Sequence, residues 1–151
     1  MTDDELAAPL DAVEVVVEAD AATDDRTVAF ADLYRSARPS IARALALAIG
    51  DVDLATEATD EAFARAYERW ARVSTLERPE GWIYRVGLNW ATSVLRRRRN
   101  QHRLYPEAVP VSDAWIDPAV HASIAALDVD HRSVVVCRHL LGWSVRETAE
   151  A

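Results

Sequence analysis

Residues 54–72 read LATEATDEAFARAYERWAR, and this stretch decides the fold. Leu54, Ala58, Ala62, Phe63, Ala66, Tyr67 and Trp70 recur every three or four residues, the period of one face of an α-helix. Glu57, Asp60, Glu61, Arg65 and Glu68 fill the opposite side, which gives an amphipathic helix with an acidic outer face. Gly50 stops whatever precedes it, and Asp51 or Asp53 supplies an N-cap.

The same period extends in both directions. Upstream, Phe30, Leu33, Tyr34, Ala37, Ile41, Leu45 and Ala48 predict a helix from about Thr27, with a kink or restart at Pro39. Downstream, Ser74, Thr75, Leu76, Glu77 and Arg78 carry no period and form a loop. Pro79 suits the first position of a third helix, with Glu80 in its positive first turn. That helix reaches about Arg99. Ile83, Val86, Gly87, Trp90 and Val94 line one face of it, and Trp82, Arg85, Asn89 and Arg96 another. Residues 101–118 hold three prolines and no apolar repeat, the composition of a linker. A second small helical unit follows over 119–151, with Val120, Ile124, Leu127, Val134, Val135 and Leu140 as its apolar positions. It breaks at Gly142 and restarts at Ser144, where Ser144 and Glu147 have the spacing of a capping box.

Four glycines and six prolines in 151 residues are too few for an all-β sandwich, so the composition predicts an all-α fold. No run approaches the length of a membrane span, and the acidic start lacks the basic opening of a signal peptide. With a single cysteine, Cys137, these features point to a soluble, cytoplasmic protein.

The net charge of −8 hides a division. Residues 1–25 carry nine acids and no base, and read as a disordered acidic tail; sixteen acids and seventeen arginines remain beyond it. From Asp51 to Glu68 there are six acids and one arginine, whereas from Arg78 to Arg103 there are seven arginines and one acid. Separate acidic and basic segments suit two different partners. Trp82, Arg85, Asn89 and the run Arg96, Arg97, Arg98 and Arg99 form a candidate nucleic-acid surface: guanidinium groups neutralise phosphates and an aromatic ring stacks on an unpaired base. The bland alternative is a core tryptophan beside a solvated helix end. His131, Cys137 and His139 match no usual zinc spacing, and neither a phosphate loop nor a nucleophile elbow is present, so no cofactor, metal or catalytic residue is assigned.

The order of these elements resembles the sigma-70 family of bacterial transcription initiation factors, in its short extracytoplasmic-function type. Residues 53–67 resemble the family's core-binding helix, with Glu61, Phe63, Arg65 and Ala66 matching and Tyr67 in place of a tryptophan. Residues 79–97 resemble the helix that reads and melts the −10 element, with Trp82, Asn89 and Arg96 matching and Ser93 in place of an aspartate. Residues 127–151 resemble the start of the fourth conserved region. The resemblance implies a three- to four-helix region 2 bundle over 26–100, a linker over 101–118 and an incomplete helix-turn-helix region 4 over 119–151. It further implies a subunit that binds RNA polymerase core through Glu57, Asp60, Glu61 and Arg65, facing a basic coiled coil of the largest subunit. Single-stranded −10 DNA would lie on Trp82, Arg85, Asn89 and Arg96 to Arg99, with the loop Ser74, Thr75, Leu76, Glu77 and Arg78 receiving an extruded base. An anti-sigma factor is a further implied partner. The family's recognition helix would follow Ala151, so reading of the −35 element is expected to be absent from this chain. Two other classes fit less of the pattern: a helical protein-interaction module, and a regulator using the helix-turn-helix alone.

Overall fold

The structure, a computed structural model, describes the backbone of residues 11–101 and 117–151 and the side chains of 24–100 and 117–151. Among these residues it is all helical: α1 (Asp11–Ile49), α2 (Val52–Glu68), α3 (Trp70–Val73), α4 (Pro79–Gln101), α5 (Pro118–Ala125), α6 (Val129–His139) and α7 (Val145–Glu150). The all-α expectation therefore holds.

Several boundaries differ from the sequence expectation, each for a physical reason. Helix α1 starts at Asp11 rather than near Thr27, so the segment read as a disordered tail is helical from Asp11; residues 1–10 lie outside the described residues. Residues 11–26 contain neither glycine nor proline, and acids near a helix N-terminus suit its dipole. Nor does Pro39 restart the helix: α1 runs through it as one element, with Pro39 itself exposed. The second helix ends at Glu68 instead of Arg72, because Arg69 leaves helical geometry (φ −111°, ψ 20°) before α3 begins. The linker expected over 101–118 falls largely on residues 102–116, outside the described residues, with Asp117 capping α5 at its far end.

Gly50, at φ 79°, is the turn that reverses the chain between α1 and α2. Asp51 then caps α2 by accepting from the Leu54 amide at 2.9 Å. Phe30 on α1 lies 5.3 Å from Trp70 beyond the end of α2, and Arg98 near the end of α4 approaches Asp51 at 3.7 Å. Helices α1, α2 and α4 thus pack as an antiparallel bundle, with α2 running opposite to both neighbours. Ala55, Ala58, Ala62 and Ala66 form a buried seam of small residues on α2, flanked by Ile41, Leu45, Leu54, Phe63 and Ile83. At Gly87 the three helices meet: a Cβ there would stand 2.8 Å from Leu45 Cδ1 and 3.3 Å from the Ala58 carbonyl oxygen. The interhelical distance is set by what the facing residues leave room for, and here they leave room for a hydrogen atom.

The 119–151 segment shares this core. Val136, Cys137 and Trp143 are buried in the same cluster as α1, α2 and α4. Tyr84 of α4 is buried against them, its ring edge-on to Trp143 at 5.7 Å and its hydroxyl 2.9 Å from Ser133 Oγ. Val120, Leu127 and Val134, expected as apolar packing positions, are exposed. The run Val134 to Cys137 is apolar on every side, so its period could not say which side turns inward.

Two glycines of α4 provide the check on this packing. Gly87→Ala should destabilise the protein by about 1–3 kcal/mol, because Leu45 is buried and the Ala58 carbonyl belongs to a helix backbone. Gly81→Ala should leave stability unchanged or raise it by up to about 1 kcal/mol, since its nearest neighbours stand at 3.9 Å. Urea denaturation of the two variants separates them; an equal effect would mean that the close approach does not limit the bundle.

Candidate functional site

Helix α4 is the source of the basic face. Pro79 opens it with Glu80 in the first turn, and Arg98 and Arg99 lie in the last turn, where cations suit the dipole. Burial of Ile83, Tyr84, Gly87 and Ala91 turns Arg85, Asn89 and Arg96 to solvent along one stripe, with Trp82 half-buried at its head. Arg97, Arg98 and Arg99 are exposed as well. The hydroxyls of Thr92 and Ser93 donate to backbone carbonyls one turn earlier, so the polar heads on this stripe are Arg85, Asn89 and the arginine run.

At the N-terminal end of α4 the stripe opens into a cleft of about 640 Å³. Arg69, Arg72 and Leu76 line one wall, Trp82 and Arg85 another, and Glu147 of α7 the third. Of the sequence-predicted loop, Leu76, Glu77 and Arg78 line the cleft. Ser74 caps α3, and the Thr75 hydroxyl donates to the Arg72 carbonyl at 2.8 Å. The volume lies within the range of small-ligand pockets, roughly 300–1,000 Å³. Four arginines and three glutamates line it beside the Trp82 ring, so the cleft offers guanidinium donors and an aromatic surface together.

The acidic face lies on α2. Glu57 is exposed on it, whereas its neighbours are engaged within the molecule. Asp60 accepts from Arg38 of α1 at both Nε (3.0 Å) and Nη2 (2.6 Å), and Glu61 pairs with Arg65 one turn on at 2.7 Å. The bond to Asp60 also holds the Arg38 guanidinium above its ordinary pKa. Beside these pairs lies a group of rings: Phe30, Tyr34, Phe63, Tyr67 and Trp70 contact one another edge-on or tilted at centroid distances of 5.0–6.4 Å. Tyr67, expected in the core, is 54% exposed at its rim. Its ring packs edge-on against Phe30 at 5.0 Å, while Phe63 and Trp70 are the buried aromatic residues of this group.

Sequence reasoning missed the contact that joins the two halves. Buried Tyr84, Cys137 and Trp143 and half-buried Ser133 form one group, and its only sequence signal was an apolar run of no fixed period. Burial pushes both the Tyr84 phenol and the Cys137 thiol above their ordinary pKa values. His131 Nδ1 hydrogen-bonds Asp128 while Cys137 is buried and His139 exposed, so the three do not converge. No group of three metal-ligating side chains occurs among the described residues.

No protein-family model matches the chain, and no solved structure matches it. Among curated proteins, one from Rhizobium meliloti (strain 1021), described only as uncharacterized, is 38% identical over 72 residues. The match takes in 48% of this chain and 17% of that protein, so the chain spans less than a fifth of its relative's length. No helix of the described residues is long and apolar enough to cross a membrane.

The buried phenol gives a pH dependence with a defined sign. The folded state holds Tyr84 neutral, whereas the unfolded chain ionises it above its ordinary value of 10.0. Its contribution to stability is therefore complete below pH 10.0 and declines as the pH rises past it. Tyr84→Phe should lessen that alkaline decline, leaving the share of the buried Cys137 thiol, at a cost of about 0.5–1.5 kcal/mol at neutral pH from the lost hydrogen bond. Denaturation midpoints measured across the alkaline range check both effects.

Proposed function

We propose that the chain is a transcription initiation factor of the sigma-70 kind, binding RNA polymerase core and the melted −10 strand of a promoter. The observation that carries this reading is the exposed stripe Arg85, Asn89 and Arg96 on α4, continued by the exposed Arg97 to Arg99 at one end and running past the half-buried Trp82 into an arginine-lined cleft at the other. A separate acidic face on α2 belongs to the same bundle. The resemblance of residues 53–67 and 79–97 to the family's core-binding and promoter-melting helices supports the assignment of the two faces.

The mechanism follows from differential binding. Strand separation is unfavourable, and a protein that holds only the separated strand shifts the equilibrium toward it. Arginines on α4 neutralise the backbone of the non-template strand, and the half-buried Trp82 offers a ring face at the upstream edge of the opening. The cleft beside Leu76 to Arg78 takes an extruded base, with stacking on Trp82 and guanidinium planes around it. In this reading the chain catalyses nothing; the polymerase does the chemistry. Exposed Val120, Leu127, Val134 and Val145 favour a second reading of the 119–151 segment, as a surface for a protein partner such as an anti-sigma factor.

Asp60 and Glu61 are engaged by Arg38 and Arg65, so their reversal would disturb the bundle as well as the face. Glu57→Arg is the cleaner probe of the acidic face, and should weaken binding to bacterial RNA polymerase core by about 3–10-fold with the helical circular dichroism unchanged. Replacing Arg96, Arg97 and Arg99 together by glutamine should weaken single-stranded DNA binding and flatten the log–log salt slope by roughly 2, at about 0.7 per lost phosphate contact. Unchanged polymerase affinity removes the α2 assignment; an unchanged salt slope removes the α4 assignment.

A further inference from the structure

The cleft at the head of α4 is closed on one side by α7, and α7 reaches it through the same residues that the nucleic-acid reading requires. Glu147 pairs with Arg78 at 2.5 Å, and Arg85 donates from Nη1 to the Glu150 carbonyl at 3.1 Å. Arg146 reaches Glu77 at 3.4 Å, and Ala151 Cβ comes within 3.9 Å of where a Gly81 Cβ would stand. The helix is anchored at its base by Trp143, 3% exposed, which meets Tyr84 edge-on and lies under the Arg78 guanidinium at 5.8 Å.

We propose that α7 is an intramolecular latch: it occupies the head of the α4 surface, with Glu147 and the Glu150 carbonyl standing where phosphate oxygens of a single strand would be held. This rests on the reading of α4 as a nucleic-acid surface and adds how that surface is regulated. With Glu147, Glu150 and Ala151 lining the cleft beside Arg78 and Arg85, α7 fills space that a strand on those arginines would take, so α7 and the strand compete.

The construction suits a latch that opens. Helix α7 opens on its capping box and meets the cleft through the Glu147 carboxylate, the Arg146 guanidinium and the Glu150 carbonyl. The capping box, in which Ser144 and Glu147 bond each other's backbone amides, fixes Glu147 toward Arg78. Those contacts are polar and at the rim, the kind that water and salt weaken. By contrast Val136, Cys137 and Trp143 are held in the core, so opening need involve only α7 and leaves α6 docked.

The test compares two substitutions that alter charge equally. Glu147→Gln keeps a side chain able to complete the capping box but removes the charge on Arg78. Asp130→Asn makes the same change at an exposed position in the first turn of α6, away from the cleft. The readout is affinity for a fluorescein-labelled single-stranded oligonucleotide, together with hydrogen exchange of the α7 amides. Glu147→Gln should bind more tightly than both wild type and Asp130→Asn, up to about tenfold if the closed form predominates. Saturating wild type with the oligonucleotide should accelerate exchange in α7. Equal affinity of Glu147→Gln and Asp130→Asn, or α7 exchange unchanged at saturation, overturns the latch while leaving the α4 surface in place. Absence of binding by every chain overturns the nucleic-acid reading, and the latch falls with it.

Discussion

The structure depends on one close approach, the meeting of α1, α2 and α4 at Gly87. Leu45, Ala58 and Gly87 come from three different helices, and there is no space among them for a methyl group. The alanine seam of α2 extends this contact along the helix, so close backbone approach joins the bundle at its centre while Ile41, Leu45, Leu54, Phe63 and Ile83 pack around it. A core packed in this way resists sliding, because any shift drives a Cβ or a carbonyl into a neighbour. The acidic face of α2 and the basic stripe of α4 are therefore held in a fixed relation.

Those surfaces differ in how much of their charge is available. On α2 part of it is engaged internally, Asp60 with Arg38 and Glu61 with Arg65, while Glu57 and Glu68 stand exposed. Exposed pairs of this kind contribute little stability, so a partner with a basic surface can exchange for them at small cost. On α4 the division runs along the helix. The C-terminal run Arg96 to Arg99 is exposed, with only Arg98 leaning toward Asp51, whereas Arg85 and the neighbouring Arg78 are held by α7. On the proposed reading, a strand arriving at the arginine run would meet an open surface first and a covered one second.

Much of this architecture was legible in the sequence. The three- and four-residue recurrences in residues 30–48 and 54–70 indicated amphipathic helices, and Gly50, Asp51, Pro79, Gly142 and Ser144 marked their ends through local turn and cap chemistry. Tyr67 was misplaced because a ring at the edge of an apolar stripe obeys the same period whether it faces in or out. Helix α1 began earlier than expected because acidity argued for disorder while the absence of glycine and proline argued for helix. The docking of 119–151 onto the bundle left no periodic trace: it depends on Tyr84, Ser133, Cys137 and Trp143, whose pairing is long-range and whose flanking valines are apolar on all sides. For the site, the arginine stripe was readable from spacing, but its partial cover by α7 was not, since Arg78 and Glu147 are distant in sequence.

The most direct measurement asks whether one molecule holds both proposed partners at once. Fluorescence anisotropy of a labelled single-stranded oligonucleotide would be followed as bacterial RNA polymerase core is added to the preformed complex with this chain. A further rise beyond that produced by core alone is expected, because the α2 and α4 faces are separate parts of one rigid bundle. A fall to the value of free oligonucleotide plus core would show that the two ligands compete for one surface, and would contradict the two-face arrangement.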